Sequence, residues 1–186
     1  ALAKMPPAAR GSFEKPPLSV KLLQNFCLKM KNEKRKMILG VGNDILMDDG
    51  IGPKVVKRLQ SQYPLPGVEY HTTMLGGLEI LESIDGYHWV AFIDAIKTRG
   101  GVPGTIYEFT PEDFKETLHL TNLHDVSFLT AIEMGKQLGF RIPGYMYIFA
   151  IEIIEDQVFG EEFTPPLKER FESIVEEIHK KIQTFL

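Results

Sequence analysis

The residues best suited to chemistry crowd a glycine-rich stretch, Gly40-Val41-Gly42-Asn43-Asp44-Ile45-Leu46-Met47-Asp48-Asp49-Gly50-Ile51-Gly52. It follows an apolar run and precedes a helical pattern, the place where a dinucleotide fingerprint would sit. The fingerprint fails, because its third glycine would fall at Ile45. Asp44, Asp48 and Asp49 would also repel a pyrophosphate. The same carboxylates suit a cation. A later apolar strand, HWVAFIDAI, is expected to end with Asp94, and His124 stands ahead of another helix. Asp49, Asp94 and His124 together offer two carboxylate oxygens and one imidazole nitrogen. Such a set leaves positions open on a borderline cation such as Ni²⁺ or Zn²⁺, for a metal-held substrate or an activated water. Residue by residue, plainer roles stand beside this one. Asp49 is also a helix N-cap, Asp94 a strand-end turn residue and His124 a loop histidine.

Other catalytic plans find no support. There is no G-x-S-x-G elbow, no H-E-x-x-H and no P-loop. Cys27 is the single cysteine and lies in an N-terminal region far from any strand end. His71, His88, His119 and His179 lack metal-like spacing, and His179 reads as a solvated helix residue. The acidic run Glu152, Glu155, Asp156, Glu161, Glu162 reads as a solvated loop.

These residues need a frame. From Met37, MILGV, VEYHTT, HWVAFIDAI, TIYEF and YMYIFAIEI read as strands, with TIYEF nearer an edge. Between them lie helical patterns. One has Ile51, Val55, Leu59 and Tyr63 on one face, with Pro53 in its first turn. GGLEILESI is a short helix, and Asp125 would cap another reaching about Leu138. A last helix follows Pro165 and Pro166, with Leu167, Phe171, Ile174, Val175, Ile178, Ile182 and Phe185 sharing one face. Continuous apolar strands alternating with helices predict an α/β three-layer sandwich: a mostly parallel twisted sheet with helices on both faces. Ligands of such folds gather at the carboxyl ends of the strands, which is where Asp49, Asp94 and His124 fall.

Length and composition agree. The chain has 186 residues, enough for one domain, with 44% apolar and 25% charged residues. No apolar run approaches a membrane span of ~18 residues. One cysteine rules out an internal disulfide and fits a reducing compartment, so a cytoplasmic location is expected. The net charge of −4 hides a division. Residues 1–36 hold nine basic and two acidic residues, whereas 37–186 hold 12 basic and 23 acidic. An acidic body disfavours nucleic acid as a partner. Residues 1–36 read as a basic leader, flexible over 1–17. An amphipathic helix over 18–31 places Leu18, Leu22, Phe26 and Met30 on one face. Residues 37–186 form the single α/β domain.

The stretch ILGVGNDILMDDGIGPKVVKRL resembles the opening of the hydrogenase maturation endopeptidases, which clip the C-terminal tail from the large subunit of nickel–iron hydrogenases. The likeness rests on Gly40, Gly42, Asn43, Asp48, Asp49, Gly50 and Gly52. It continues at Gly76-Gly77-Leu78-Glu79-Ile80-Leu81, at Ile93-Asp94-Ala95 and at His124, spanning 37–186. The resemblance implies that Asp49, Asp94 and His124 are the metal-contacting positions. It also implies that the nickel belongs to the substrate, a large-subunit precursor. On this view Gly76 and Gly77 leave room for a peptide backbone and join Asn43 in binding substrate, while Asp48 is a base, a water-orienting group or a helix cap. Asp49 stands where some members have Glu, and Asn122-Leu123-His124 departs from the Ser-x-His of others. The expectation is a metal-dependent, aspartyl-type endopeptidase that activates the hydrogenase, a monomer docking transiently on its client. Two rivals are a non-catalytic nickel-centre chaperone and a self-sufficient metallopeptidase with its own metal.

Overall fold

In the computed structural model, residues 35–74, 79–116 and 123–186 are described; the side chains of Glu79, 114–116 and 123–128 are not. The leader, with its helix over 18–31, and the Gly76-Gly77 pair lie outside the described residues. Five strands form one sheet: β1 (Lys36–Val41), β2 (Val68–Thr73), β3 (Trp89–Ile96), β4 (Ile106–Phe109) and β5 (Tyr145–Glu152). Their order is β2-β1-β3-β5-β4. All neighbours are parallel except β4, which runs antiparallel to β5 at one edge. The helices are α1 (Ile51–Gln62), α2 (Glu79–Ile84), α3 (Pro111–Glu116), α4 (Leu123–Leu138) and α5 (Pro165–Phe185).

Alternation along the strands sends side chains into two separate cores. Ile38, Trp89, Ala91, Ile93, Phe149 and Ile151 pack with α1 and α5 through Ile51, Val55, Leu59, Leu167, Ile174, Ile178 and Ile182. Met37, Leu39, Val90, Phe92 and Ile148 turn the other way, onto Ile80, Leu81 and Ile84 of α2 and Ala131 and Ile132 of α4. Both faces are covered, so β1, β3 and β5 are continuous apolar runs, as a buried parallel sheet requires. The expected three-layer architecture is thus observed. Of the two edge strands, β2 is parallel to its neighbour and β4 antiparallel to its own.

The structure differs from these local expectations in four places. A short 3-10 turn, Met47–Gly50, precedes α1, and α3 was not anticipated. Helix α4 begins at Leu123, two residues before the cap expected at Asp125, so His124 belongs to its first turn. His179 is half-buried and stacks on Tyr63 at 4.8 Å between ring centroids, rather than standing free in solvent.

At the base of the sheet, Arg35 grips Glu69 with two parallel hydrogen bonds of 3.0 Å. Its guanidinium also donates to the Tyr87 hydroxyl, which donates in turn to Glu69 at 2.6 Å. The guanidinium bonds foremost, and the Tyr87 hydroxyl next, lower the Glu69 carboxyl from 4.5 to about 2. A carboxyl depressed on folding stabilises fully above its unfolded value, and that contribution fades as the pH falls through about 2. Both partners are half-exposed, so solvent screening holds the effect to about 1 kcal/mol or less. Glu69→Gln is expected to flatten the pH dependence of unfolding between 4.5 and 2. A urea titration at stepped pH checks it.

Candidate active site at the carboxyl ends of β1 and β3

The sheet order changes direction at β1, whose neighbours are β2 on one side and β3 on the other. A crevice opens at such a switch point beyond the strand carboxyl ends. The chain leaving β1 must turn there sharply. Gly42 takes φ +135°, and a Cβ on it would lie 2.1 Å from the Asp49 carbonyl oxygen. Gly52 sits at the junction of two strands. A Cβ there would lie 2.3 Å from the Val41 carbonyl oxygen and 2.4 Å from that of Ile93. The glycines of the motif let the start of α1 touch the ends of β1 and β3, so their purpose is contact between backbones. Gly52→Ala is expected to cost about 3 kcal/mol, because the obstacles are backbone atoms of the central strands. Urea unfolding measures it.

That junction brings two of the sequence-selected residues together. Gly40 pairs with Ile93 in register, so Asp94 is the next residue along β3 beside the end of β1. Asp49 precedes Gly52 by three residues on the turn lying over the same ends. The Asp49 Oδ2 accepts the Asn43 backbone N–H at 2.8 Å, and the Asn43 side-chain oxygen accepts the Ile45 N–H at 3.2 Å. Asn43 therefore shapes the loop that presents Asp49. β3 runs on to Ile96, so Asp94 lies within it, level with the end of β1, rather than at its last residue; its Oδ1 accepts the N–H of Ala95 at 2.7 Å, which pins the carboxylate there. Both aspartates are half-buried. Alternation puts Asp94 on the sheet face of Phe92, the face covered by α2 and α4. Helix α4 leads, through Phe140 and Arg141, to the base of the sheet, where the Gly86 N–H meets the Arg141 carbonyl at 3.1 Å. Its first turn, with His124, is therefore at the carboxyl-end level. The His124 side chain lies outside the described residues, as do Gly76 and Gly77. Among the described residues no three His, Cys, Asp or Glu side chains form a metal-holding cluster.

Asp48 has a different geometry from the one a base requires. It is 0% exposed and accepts four hydrogen bonds. Ile154 N–H and Glu155 N–H reach Oδ2 at 3.2 Å each, the Thr164 hydroxyl reaches it at 2.8 Å, and Thr164 N–H reaches Oδ1 at 2.7 Å. The expectation of a solvated acidic loop also needs correction at Glu152, which is 1% exposed. Glu152 accepts Thr98 N–H at 2.7 Å and the Thr98 hydroxyl at 2.9 Å. Alternation held that signal: Glu152 follows Ile148 and Ala150 on one face of β5 and must point inward. Two buried carboxylates thus tie down rim loops, while Asp49 and Asp94 are half-buried near the ends of β1 and β3. Elsewhere, α1 and α5 border a cleft of about 580 Å³ lined by Lys54, Arg58, Phe163 and Phe171. Its cations are already engaged: Lys54 donates to the Glu161 carbonyl at 2.8 Å, and Arg58 pairs with Glu172.

The fold is an α/β sandwich with two aspartates near its switch point, and comparison gives the family. Residues 53–181 match the family model described as hydrogenase maturation protease, so the chain belongs to the hydrogenase maturation proteases. That match includes Asp94 and His124 and begins four residues after Asp49. The chain is similar to the hydrogenase expression/formation protein HupD of Thiocapsa roseopersicina, 23% identical over 79% of this chain and 67% of that protein. It is also similar to the hydrogenase 2 maturation protease of Escherichia coli, 34% identical over 42% of this chain and 49% of that one. The fold matches the E. coli maturating endopeptidase HybD at TM-score 0.63 and 22% identity, covering 81% of this chain and 93% of the other. It matches the [NiFe] hydrogenase maturation protease HycI of Thermococcus kodakarensis at 0.59 and 24%, covering 79% and 91%. Among the described residues no helix is long and apolar enough to cross a membrane.

Proposed function

We propose that this protease removes the C-terminal extension of a nickel–iron hydrogenase large-subunit precursor after nickel insertion, and that it recognises the nickel the precursor carries. The observation that supports this reading is the placement of Asp49 and Asp94 at one strand-end crevice, in a chain of this family. Asp49, Asp94 and His124 supply two carboxylate oxygens and an imidazole nitrogen to the arriving metal, and the precursor's cysteine thiolates complete its shell. Soft sulfur with borderline oxygen and nitrogen donors suits nickel. Engaging the metal places the scissile bond on the rim, beside the Gly76-Gly77 loop. The metal polarises the scissile carbonyl or activates a water. The water oxygen then bonds to the carbonyl carbon, the C–N bond breaks, and the leaving nitrogen takes a proton. Asp48 is assigned to holding the rim loop, since its oxygens already accept four donors.

The test is intact-mass analysis of precursor, nickel-loaded and nickel-free, incubated with this protein. The expected result is loss of a C-terminal peptide from the nickel-loaded precursor alone. Binding without loss of mass favours a chaperone. Cleavage of general peptides by protein carrying one equivalent of its own metal favours a self-sufficient metallopeptidase. Three hard-to-borderline donors with no thiolate hold a cation weakly, so the purified protein is expected to contain well under one equivalent of nickel or zinc by elemental analysis.

A further inference from the structure

The segment after β5, residues 154–164, is strapped across the loop that carries Asn43 and Asp49. Met47 N–H donates to the Gly160 carbonyl at 2.7 Å, Gly160 N–H to the Ile45 carbonyl at 2.9 Å, and Asp48 N–H to the Glu155 carbonyl at 3.2 Å. Leu46 and Gly160 pair as a single parallel bridge. Beneath them, the four hydrogen bonds accepted by buried Asp48 hold both ends of the strap. The Glu155 carboxylate closes the bend by accepting Gln157 and Val158 N–H.

This well-anchored strap shows apolar side chains to solvent. Phe159 is 78% exposed and Val158 51%, and Ile45, joined to Gly160 by the backbone bond, is 51% exposed. Ile154, at the start of the strap, is 40% exposed. Neighbouring apolar side chains held outward on a pinned backbone mark an interaction site. The rest of the strap is acidic: residues 154–162 include Glu155, Asp156, Glu161 and Glu162 and no Lys or Arg. Asp156 and Glu162 pair with Lys97 and Lys168, while Glu155 and Glu161 make no ion pair among the described residues.

We infer that Ile45, Val158 and Phe159 form the docking surface for the polypeptide substrate, taking an apolar segment flanked by basic side chains. The patch belongs to the loop that presents Asp49, so a chain reaching the crevice from this side crosses it. Its apolar centre supplies affinity, and its acidic border selects the charge of the partner and speeds encounter. The adjacent aspartates thus divide the work. Asp49 faces the reaction, and Asp48, buried beside it, sets the platform on which substrate lands. This inference rests on the proposed protease reading and names the part of the surface that holds its substrate.

The test compares wild type with Phe159→Ser, the double variant Val158→Ser/Phe159→Ser and a control, Leu138→Ser, which alters an exposed leucine at the far end of α4. Each is assayed for binding and cleavage of nickel-loaded large-subunit precursor at two salt concentrations, with thermal unfolding as a fold check. The expected result is Kd and KM raised about tenfold by Phe159→Ser and further by the double variant. The kcat, the unfolding temperature and the control are expected to stay unchanged, and wild-type binding to weaken with salt. Wild-type Kd and KM in the double variant, with wild type cleaving normally, overturn the docking surface and leave the protease reading standing. Binding that is weakened by the variants but never followed by cleavage upholds the surface and overturns the protease reading. Self-association of wild type that the double variant abolishes, with precursor binding untouched, assigns the patch to a second copy and overturns the inference.

Discussion

Asp94→Asn and Asp49→Asn are each expected to cut precursor clipping by about 100-fold or more while leaving the fold intact. The amide is the informative change. Asp94 accepts the Ala95 N–H, and Asp49 accepts the Asn43 N–H. An asparagine oxygen keeps either bond, so the local backbone has no cause to move. What disappears is the negative charge that a cation on the incoming precursor would meet. Asparagine has the same shape as aspartate, so the packing around these half-buried side chains is kept. His124→Ala is expected to match them. A single-turnover assay with nickel-loaded precursor, read by intact mass, checks all three. Retained clipping in the three variants, each folded, would sink the site assignment.

Asp48→Ala is expected to fail differently. Removing the carboxylate strands the N–H groups of Ile154, Glu155 and Thr164 and the Thr164 hydroxyl inside the protein. Unsatisfied buried donors cost about 1–3 kcal/mol apiece, and relaxation of the strap offsets part of that. A net loss of about 3–5 kcal/mol follows. At roughly 2–4 °C per kcal/mol for a domain of this size, the melting temperature should fall by about 10 °C. Asp48→Asn should be nearly as damaging. Its oxygen can serve one side of the cluster, but its amide then points hydrogens at N–H donors. Clipping should fall with the folded fraction, and substrate binding should weaken because the strap is loosened. A variant that keeps wild-type stability and loses only activity would return Asp48 to the catalytic group.

The outcomes for these neighbouring aspartates mark how far the linear sequence reaches. The two have the same chemistry and adjacent positions, and nothing local distinguishes them. The distinction comes from a segment more than 100 residues away, which delivers three backbone N–H groups and a hydroxyl to Asp48 and none of them to Asp49. Glu152 is an intermediate case. Its inward direction is readable from strand alternation, but its partner, Thr98, lies on a separate loop that only folding brings close.

The strands and most helices were legible because their signals are local. Trp89–Ile96 is apolar without a break, so it must be buried on both faces, and α5 repeats one apolar face from Leu167 to Phe185. The glycine spacing at 40, 42 and 52 was legible as a motif but not as a mechanism. Its reason is steric contact between Gly52 and carbonyl oxygens of two strands, one of them about 40 residues later. The amino-acid sequence by itself determined the α/β class, the buried strands and the candidates Asp49 and Asp94, because periodicity, apolar runs and strand-end position are properties of short segments. The tertiary structure decided the strand order, the separation of Asp48 from Asp49 and the exposed strap around Phe159. Each of those depends on which distant backbone groups come within hydrogen-bonding reach, and that is set only when the sheet and its two cores have closed.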